Sequence, residues 1–365
     1  MTDVNPGAKK RAQLELFRYH KKIQTSIHEL RYLFWECTLR CNLNCGHCGS
    51  DCLSSSSVAD MPAENFLKVL DGIRKKMDPG KITIAITGGE PILRRDLEQV
   101  GLQIASWGFP WGIVSNGWDL SSVRLNSLLN AGMVTMTVSL DGMEDSHDWL
   151  RKKTGSFKRA VGALSTLAKS SIPLFDVMTC LTQRNLHQLP EMKDLLVKIG
   201  VKNWRFVSIF PRGRGDSDPE LSLNGKQFRE ALEFMKSVRE SGEIRINYSC
   251  DGFLGKYERE VRDDFMFCKA GINIGSVLID GSISACPSLR EDFIQGNIYK
   301  DDFLECWENR FQVMRDRSWA KTGKCASCRE WRWCGGNGLH LRHEKTGELM
   351  MCQFSDLKMK AVDES

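Results

Sequence analysis

The 365-residue chain has no run of eighteen or more apolar residues, so nothing in it has the length and apolarity of a membrane-spanning helix. Its start, MTDVNPGAKKRAQLELF, lacks the apolar core of a signal peptide. The expected location is therefore the cytosol. Charge of one sign is also scarce: with 27% charged residues the net charge is only +5, and nothing demands a nucleic-acid partner. The basic run Lys9, Lys10 and Arg11 reads as a solvated face. Internal repeats, low-complexity tracts and flexible linkers are missing too, and a 41% hydrophobic content excludes a disordered chain.

Cysteine is what the chain has in excess. A reducing compartment and a chain too large to need staples argue against a disulfide framework for 14 of them, which leaves metal or Fe–S binding. Cys37, Cys41, Cys45, Cys48 and Cys52 sit together near the start, and most of the others lie beyond residue 249. Two separate metal regions are expected.

Between them, short β-branched runs alternate with longer amphipathic stretches, the pattern of βα units on a parallel sheet. Strands are predicted over 33–36, 82–87, 111–115, 134–140, 174–179 and 204–209. Helices are predicted over 63–77, 95–107, 121–131, 157–169, 186–199 and 225–240, with glycines punctuating several ends. Six consecutive units suggest an α/β fold with an open, partial TIM-type barrel that binds ligands at the C-terminal ends of its strands. Residues 1–30 read as a basic, mostly helical extension, and 211–219 (PRGRGDSDP) as a loop.

The spacing Cys41-x3-Cys45-x2-Cys48 follows the first predicted strand and puts three thiols on one loop at the barrel mouth. Three thiolates can hold a cubane of four irons and leave one iron open to an exogenous ligand. A structural zinc with Cys37 or Cys52 as fourth ligand is the alternative that spacing alone leaves open, although both read as non-ligands. Downstream, the strand ITIAIT runs into Gly88, Gly89, Glu90 and Pro91, where glycines let the backbone approach a ligand and a carboxylate stands beside them.

The cysteine triplet and GGEP together resemble the radical S-adenosylmethionine (SAM) superfamily. That resemblance implies an oxygen-sensitive enzyme whose four-iron, four-sulfur cluster on Cys41, Cys45 and Cys48 reductively cleaves SAM to a 5′-deoxyadenosyl radical. It also implies SAM contacts from Gly88–Pro91, then from Ser115 and Asn116 in VSNG, from Ser139 and Asp141 in VSLDG, and from Arg151. Asp141 would reach the ribose and Arg151 the SAM carboxylate, whereas capping roles and a surface salt bridge are the plain alternatives. His47 is expected to pack against the adenine or the loop, and Cys180 to be a small buried residue in mid-strand.

After residue 260 the chain resembles the SPASM extension of peptide-modifying members. Cys268, Gly281 and Cys286 fit its first part, and Cys325, Cys328 and Cys334 fit its Cys-x2-Cys-x5-Cys. Where the pattern continues to a further cysteine, this chain has Gly338. The resemblance implies one auxiliary Fe–S cluster on Cys325, Cys328, Cys334 and Cys352. It leaves the proximal site with Cys268 and Cys286, in need of Cys250, Cys306 or an exogenous ligand. A zinc at the distal site is the alternative. The implied domains are the extension 1–30, the barrel 31–245 and the SPASM region 246–365.

The SPASM resemblance implies a peptide or protein substrate and an electron donor such as flavodoxin or ferredoxin. Pro287, where formylglycine-forming maturases place an aspartate, weakens aldehyde formation and leaves thioether formation, other crosslinks or epimerisation. The stretch GNGLHLR is similar to enzymes associated with small lipoprotein precursors. The short extension lacks room for the winged peptide-binding domain some maturases carry, so a leader would need another surface. A heme-biosynthesis enzyme acting on a tetrapyrrole, or a non-catalytic Fe–S or zinc scaffold, are the rival readings.

Overall fold

The computed structural model describes residues 4–216, 218–249 and 251–359. Its centre is one ten-stranded sheet. The six sequence-predicted strands are β1 (Tyr32–Thr38), β2 (Thr83–Gly88), β3 (Trp111–Ser115), β4 (Met133–Ser139), β5 (Leu174–Leu181) and β6 (Asn203–Ser208). They pair in parallel in chain order, as βα repeats require.

After the N-terminal helix, most of the crossover helices turn an apolar stripe onto the sheet. The helices are α1 (Ala8–Ile27), α2 (Ala63–Arg74), α3 (Leu97–Ser106), α4 (Ser122–Asn130), α5 (Glu144–Arg151), α6 (Ser156–Ala168), α7 (Leu189–Ile199) and α8 (Gly225–Ser241). In α2, Phe66, Leu70 and Ile73 recur at helical spacing and are buried, and the Phe66 ring stacks on Trp35 of β1 at 4.6 Å. A capping box of Asn224 and Gln227 starts α8. The sequence reading passes over α5, because its buried face includes Ser146, His147 and Arg151 and so carries no clean apolar period.

Beyond α8 the strand β7 (Arg245–Tyr248) adds to β6, and the chain then crosses to the other edge. There β8 (Ile274–Val277) lies parallel to β1, followed by antiparallel β9 (Ser282–Ser284) and β10 (Gly296–Asn297). The sheet is therefore continuous between the barrel and the cysteine-rich C-terminal region. The latter continues with α9 (Phe303–Asn309), α10 (Gln312–Arg315), α11 (Trp331–Cys334) and α12 (Gln353–Lys358).

The N-terminal helix is no free extension. Trp333 Nε1 donates to Glu15 at 2.7 Å, Lys21 Nζ donates to the Trp333 carbonyl at 2.5 Å, and Lys10 pairs with Glu260 at 2.6 Å. Of the basic run read as a solvated face, Lys9 and Arg11 are exposed whereas Lys10 is tied to Glu260. Among the described residues, no helix is long and apolar enough to cross a membrane.

Candidate functional site

At the end of β1 the chain leaves the sheet as a loop whose backbone is stitched down on both sides. The Cys41 amide donates to the Leu53 carbonyl at 2.8 Å, and Asp60 takes hydrogen bonds from the Thr38 hydroxyl at 2.5 Å and from Arg40 Nε at 3.2 Å. From the neighbouring strand end, the Gly89 amide donates to the Thr38 carbonyl at 2.7 Å and the Glu90 amide to the Arg40 carbonyl at 2.9 Å. The glycines at this turn serve that contact. A Cβ on Gly88, where φ is +129°, would lie 2.1 Å from the Thr38 oxygen, and one on Gly89 would lie 2.2 Å from the Arg40 oxygen. The close approach expected toward a ligand is thus an approach to the cysteine loop itself.

The loop brings Cys41, Cys45 and Cys48 to one cavity of about 160 Å³. Gly88, Gly89, Ser115, Asn116, Ser139 and Arg151 line the same cavity, from the ends of β2, β3 and β4 and from α5. Every one of the three sulfurs has an N–H donor near it. Asn116 Nδ2 lies 3.8 Å from Cys41 Sγ, Arg151 Nη1 3.7 Å from Cys45 Sγ, and the Cys52 amide 3.3 Å from Cys48 Sγ. Burial pushes the Cys41 thiol up to about 11 and raises Cys45 against the pull of Arg151. The hydrogen bond with Cys52, helped by Arg214, draws Cys48 down. Thiols converging on one cavity, each with a donor to offset thiolate charge, fit an Fe–S cluster.

Three expected contacts stand behind the cavity wall instead. Glu90 is buried and accepts from the Asn116 amide at 2.8 Å and the Ile92 amide at 3.2 Å, and burial raises its carboxyl to about 7. Pro91 is buried in the short turn after it. Asp141 is also buried, accepting from the Cys180 amide at 2.8 Å and Arg151 Nε at 2.6 Å. Burial alone would raise Asp141, and the Arg151 guanidinium overrides it and holds the carboxyl low. Asp141 thus grips Arg151 and is not among the residues that line the cavity.

His47 lines the cavity with a buried Nδ1 that has no hydrogen-bond partner, and burial lowers its pKa to about 4, so the ring is neutral. Cys52 lines the cavity beside Cys48, whereas Cys37 is buried in β1 away from it. Cys180 is half-buried on β5, packed beside Leu150, Ile209 and Leu221. Arg214 is one residue that sequence reasoning missed. It comes from the 211–219 loop and donates to the carbonyls of Cys45 at 2.8 Å and Cys52 at 3.1 Å, while its own amide donates to that of Cys48 at 3.1 Å. No motif marks it, because the contact spans more than 160 residues.

A second cavity, of about 340 Å³, is lined by Cys268, Cys286, Tyr248, Arg262 and His340. Burial would raise both thiols. Arg317 and backbone amides reverse this at Cys268, whose pKa falls to about 7, while Cys286 rises to about 11. Cys306, one of the candidates to complete this site, faces elsewhere. It is fully buried in α9 with its sulfur toward Gly296, and it lines neither cavity. Cys250 lies outside the described residues.

Cys325, Cys334 and Cys352 form a third grouping. Arg342 Nη2 donates to Cys325 Sγ at 3.2 Å, and the Asn337 amide to Cys334 Sγ at 3.1 Å. Burial raises Cys334 to about 12 and also raises Cys352, and the thiols add to this, Cys352 acting on Cys334 and Cys325 on Cys352. Cys328 is half-buried one turn from Cys325, to whose carbonyl its amide donates at 3.3 Å. Among the described residues no three His, Cys, Asp or Glu side chains close on a single ion.

Residues 35–196 match the radical SAM superfamily and residues 268–329 the SPASM iron-sulfur cluster-binding domain. The chain is similar to the AdoMet-dependent heme synthase of Methanosarcina barkeri (strain Fusaro / DSM 804), with 26% identity across 84% of this chain and 90% of that protein. It is similar to the mycofactocin maturase MftC of Mycolicibacterium smegmatis, with 28% identity across 83% of this chain and 76% of that one. The crystal structure of Streptococcus suis SuiB bound to its precursor peptide SuiA has the same fold, with a TM-score of 0.70 at 15% identity, covering 93% and 80% of the two chains.

Proposed function

We propose that this chain, a radical SAM enzyme with a C-terminal SPASM domain, modifies a peptide or protein by removing hydrogen from carbon, to close a crosslink or thioether or to invert a centre. The radical SAM domain binds a four-iron, four-sulfur cluster and SAM, and the SPASM domain binds auxiliary Fe–S clusters. When bound, the first cluster supplies the electron that splits SAM to methionine and the hydrogen-abstracting 5′-deoxyadenosyl radical.

The observation that carries the reading is the presence on one continuous sheet of a three-thiol cavity and of a separate thiol-lined cavity. Such a pair suits the crosslink or thioether outcome, in which an electron leaves the substrate after hydrogen abstraction, whereas inversion of a centre returns a hydrogen atom and needs no electron acceptor. In this proposal Cys41, Cys45 and Cys48 hold the first cluster, over the barrel 31–245. Arg151, fixed by Asp141, keeps positive charge beside Cys45. Gly88, Gly89, Ser115, Asn116 and Ser139 line the space for SAM, with Glu90 and Pro91 fixing the turn from behind. Cys325, Cys328, Cys334 and Cys352 hold an auxiliary cluster in the region 246–365. A flavodoxin or ferredoxin supplies electrons, a small lipoprotein precursor is one candidate substrate, and a reducing cytosol suits the many free thiols.

The similarity to maturase MftC supports a peptide substrate. The similarity to heme synthase, across 90% of that protein, favours a second reading in which the substrate is a tetrapyrrole. Anaerobic assays with SAM and dithionite separate them. A short peptide encoded beside the gene should stimulate 5′-deoxyadenosine release and change in mass or stereochemistry. Consumption of a tetrapyrrole, with the peptide unchanged, overturns the peptide reading.

A further inference from the structure

The absent cysteine of the SPASM pattern falls on Gly338, and the structure shows what fills its space. A Cβ built on Gly338 would lie 2.6 Å from Cε1 and 2.9 Å from Nδ1 of the His340 ring, and 2.8 Å from the Asp251 carbonyl. Those separations are far inside van der Waals contact, so a cysteine at 338 and the imidazole in its present place exclude each other. His340 is only 8% exposed, and it lines the 340 Å³ cavity that also holds Cys268 and Cys286.

We propose that His340 takes the part of the absent thiol and, with Cys268 and Cys286, ligates a proximal auxiliary Fe–S cluster. The proposal rests on the reading of the C-terminal region as an Fe–S domain. Imidazole is an established substitute for thiolate at such clusters, and a ligating ring needs its other nitrogen held by a carboxylate or carbonyl to fix the tautomer. His340 has that partner. Its Nε2 stands 3.1 Å from Asp251 Oδ1, and Asp251 is itself buried and pinned through Oδ2 by the Ser208 amide at 2.9 Å. Donation of Nε2–H to Asp251 leaves Nδ1 unprotonated, and Nδ1 is one of the two ring atoms in the cysteine's space.

The Gly338 amide donates to the Asp251 carbonyl at 2.7 Å, so one residue braces both the glycine and the histidine. Gly338 leaves the room, His340 fills it, and Asp251 orients the ring. Exchanging a thiolate for a neutral imidazole removes one negative charge from the cluster, which raises its reduction potential.

The test uses the full chain, reconstituted anaerobically without SAM, with histidine in natural or ¹⁵N-labelled form. Pulsed EPR of the reduced protein should show a directly bonded nitrogen coupled to one cluster. The coupling should change with the label and vanish in His340→Ala. With Cys41, Cys45 and Cys48 all changed to alanine, iron should stand at about eight atoms per chain, and at about four when His340→Ala is added. Should His340→Ala alone fold poorly, the label still reads the unmodified histidine. Iron for two clusters with no histidine coupling overturns His340 as ligand, and iron for one cluster with His340 intact overturns the proximal site. A triple variant containing zinc and no iron sinks the Fe–S domain reading instead.

Discussion

Arg151 donates from Nε to the buried Asp141 carboxylate at 2.6 Å while its Nη1 lies 3.7 Å from the Cys45 sulfur. One guanidinium thus joins the end of β4 to the cysteine loop, and the Gly46 amide ties the same loop to α5 by donating to the Leu150 carbonyl at 2.8 Å. Removing only the acid leaves a buried cation without its partner. Asp141→Ala should cost about 3–5 kcal/mol in anaerobic denaturant titrations, and Asp141→Ala with Arg151→Met should recover much of it. Equal stability of the single variant and the parent would mean that the pair carries no weight.

Gly89→Ala should lower iron content and SAM affinity together, because the new methyl would meet the Arg40 carbonyl in the cysteine loop, 2.2 Å away. Iron per chain and SAM binding, measured on the same preparation, check this. Full iron occupancy with weakened SAM binding would restore the simpler view that the glycine faces only the ligand.

Cys45→Ala should reduce release of 5′-deoxyadenosine to background, since two thiolates hold a four-iron cluster poorly. Chromatographic assay of the nucleoside with excess dithionite reads the outcome. Cleavage near the parent rate would sink the assignment of the triplet.

Glu90 gives a pH signature. Its carboxyl titrates near 7 when folded against an ordinary value of 4.5, raised chiefly by burial. The folded state therefore holds more protons between those pH values, and this residue's contribution to stability is present below about 4.5 and lost as pH rises to about 7. Glu90→Gln lacks the titration, so the variant should gain on the parent by up to about 3 kcal/mol from pH 5 to pH 8. Denaturation at the two pH values checks it, and a pH-independent difference would contradict it.

The six parallel strands were legible because each carries its own β-branched or aromatic run, and Cys41, Cys45 and Cys48 because a ligand loop is a local spacing. Neither needs knowledge of what packs nearby. The SPASM cysteines were legible for the same reason, as was the vacancy at Gly338. By contrast α5 was hidden, since its buried face holds Arg151 and His147, and the apolar period that marks a helix is broken there.

By itself, then, the sequence determined the kind of chemistry: short-range spacings of thiols and of glycine with glutamate specify what a loop can hold wherever it lies in space. Only the tertiary structure decided which groups stand around those loops. It alone set β8 against β1 and so joined the two thiol regions on one sheet, brought Arg214 onto the Cys45 carbonyl, turned Asp141 away from the cavity to grip Arg151, and laid the His340 ring in the space that Gly338 leaves. These are contacts between residues distant along the chain, or between a side chain and a space. Their energy comes from packing and from the burial of charge, neither of which leaves a periodic mark in the order of residues.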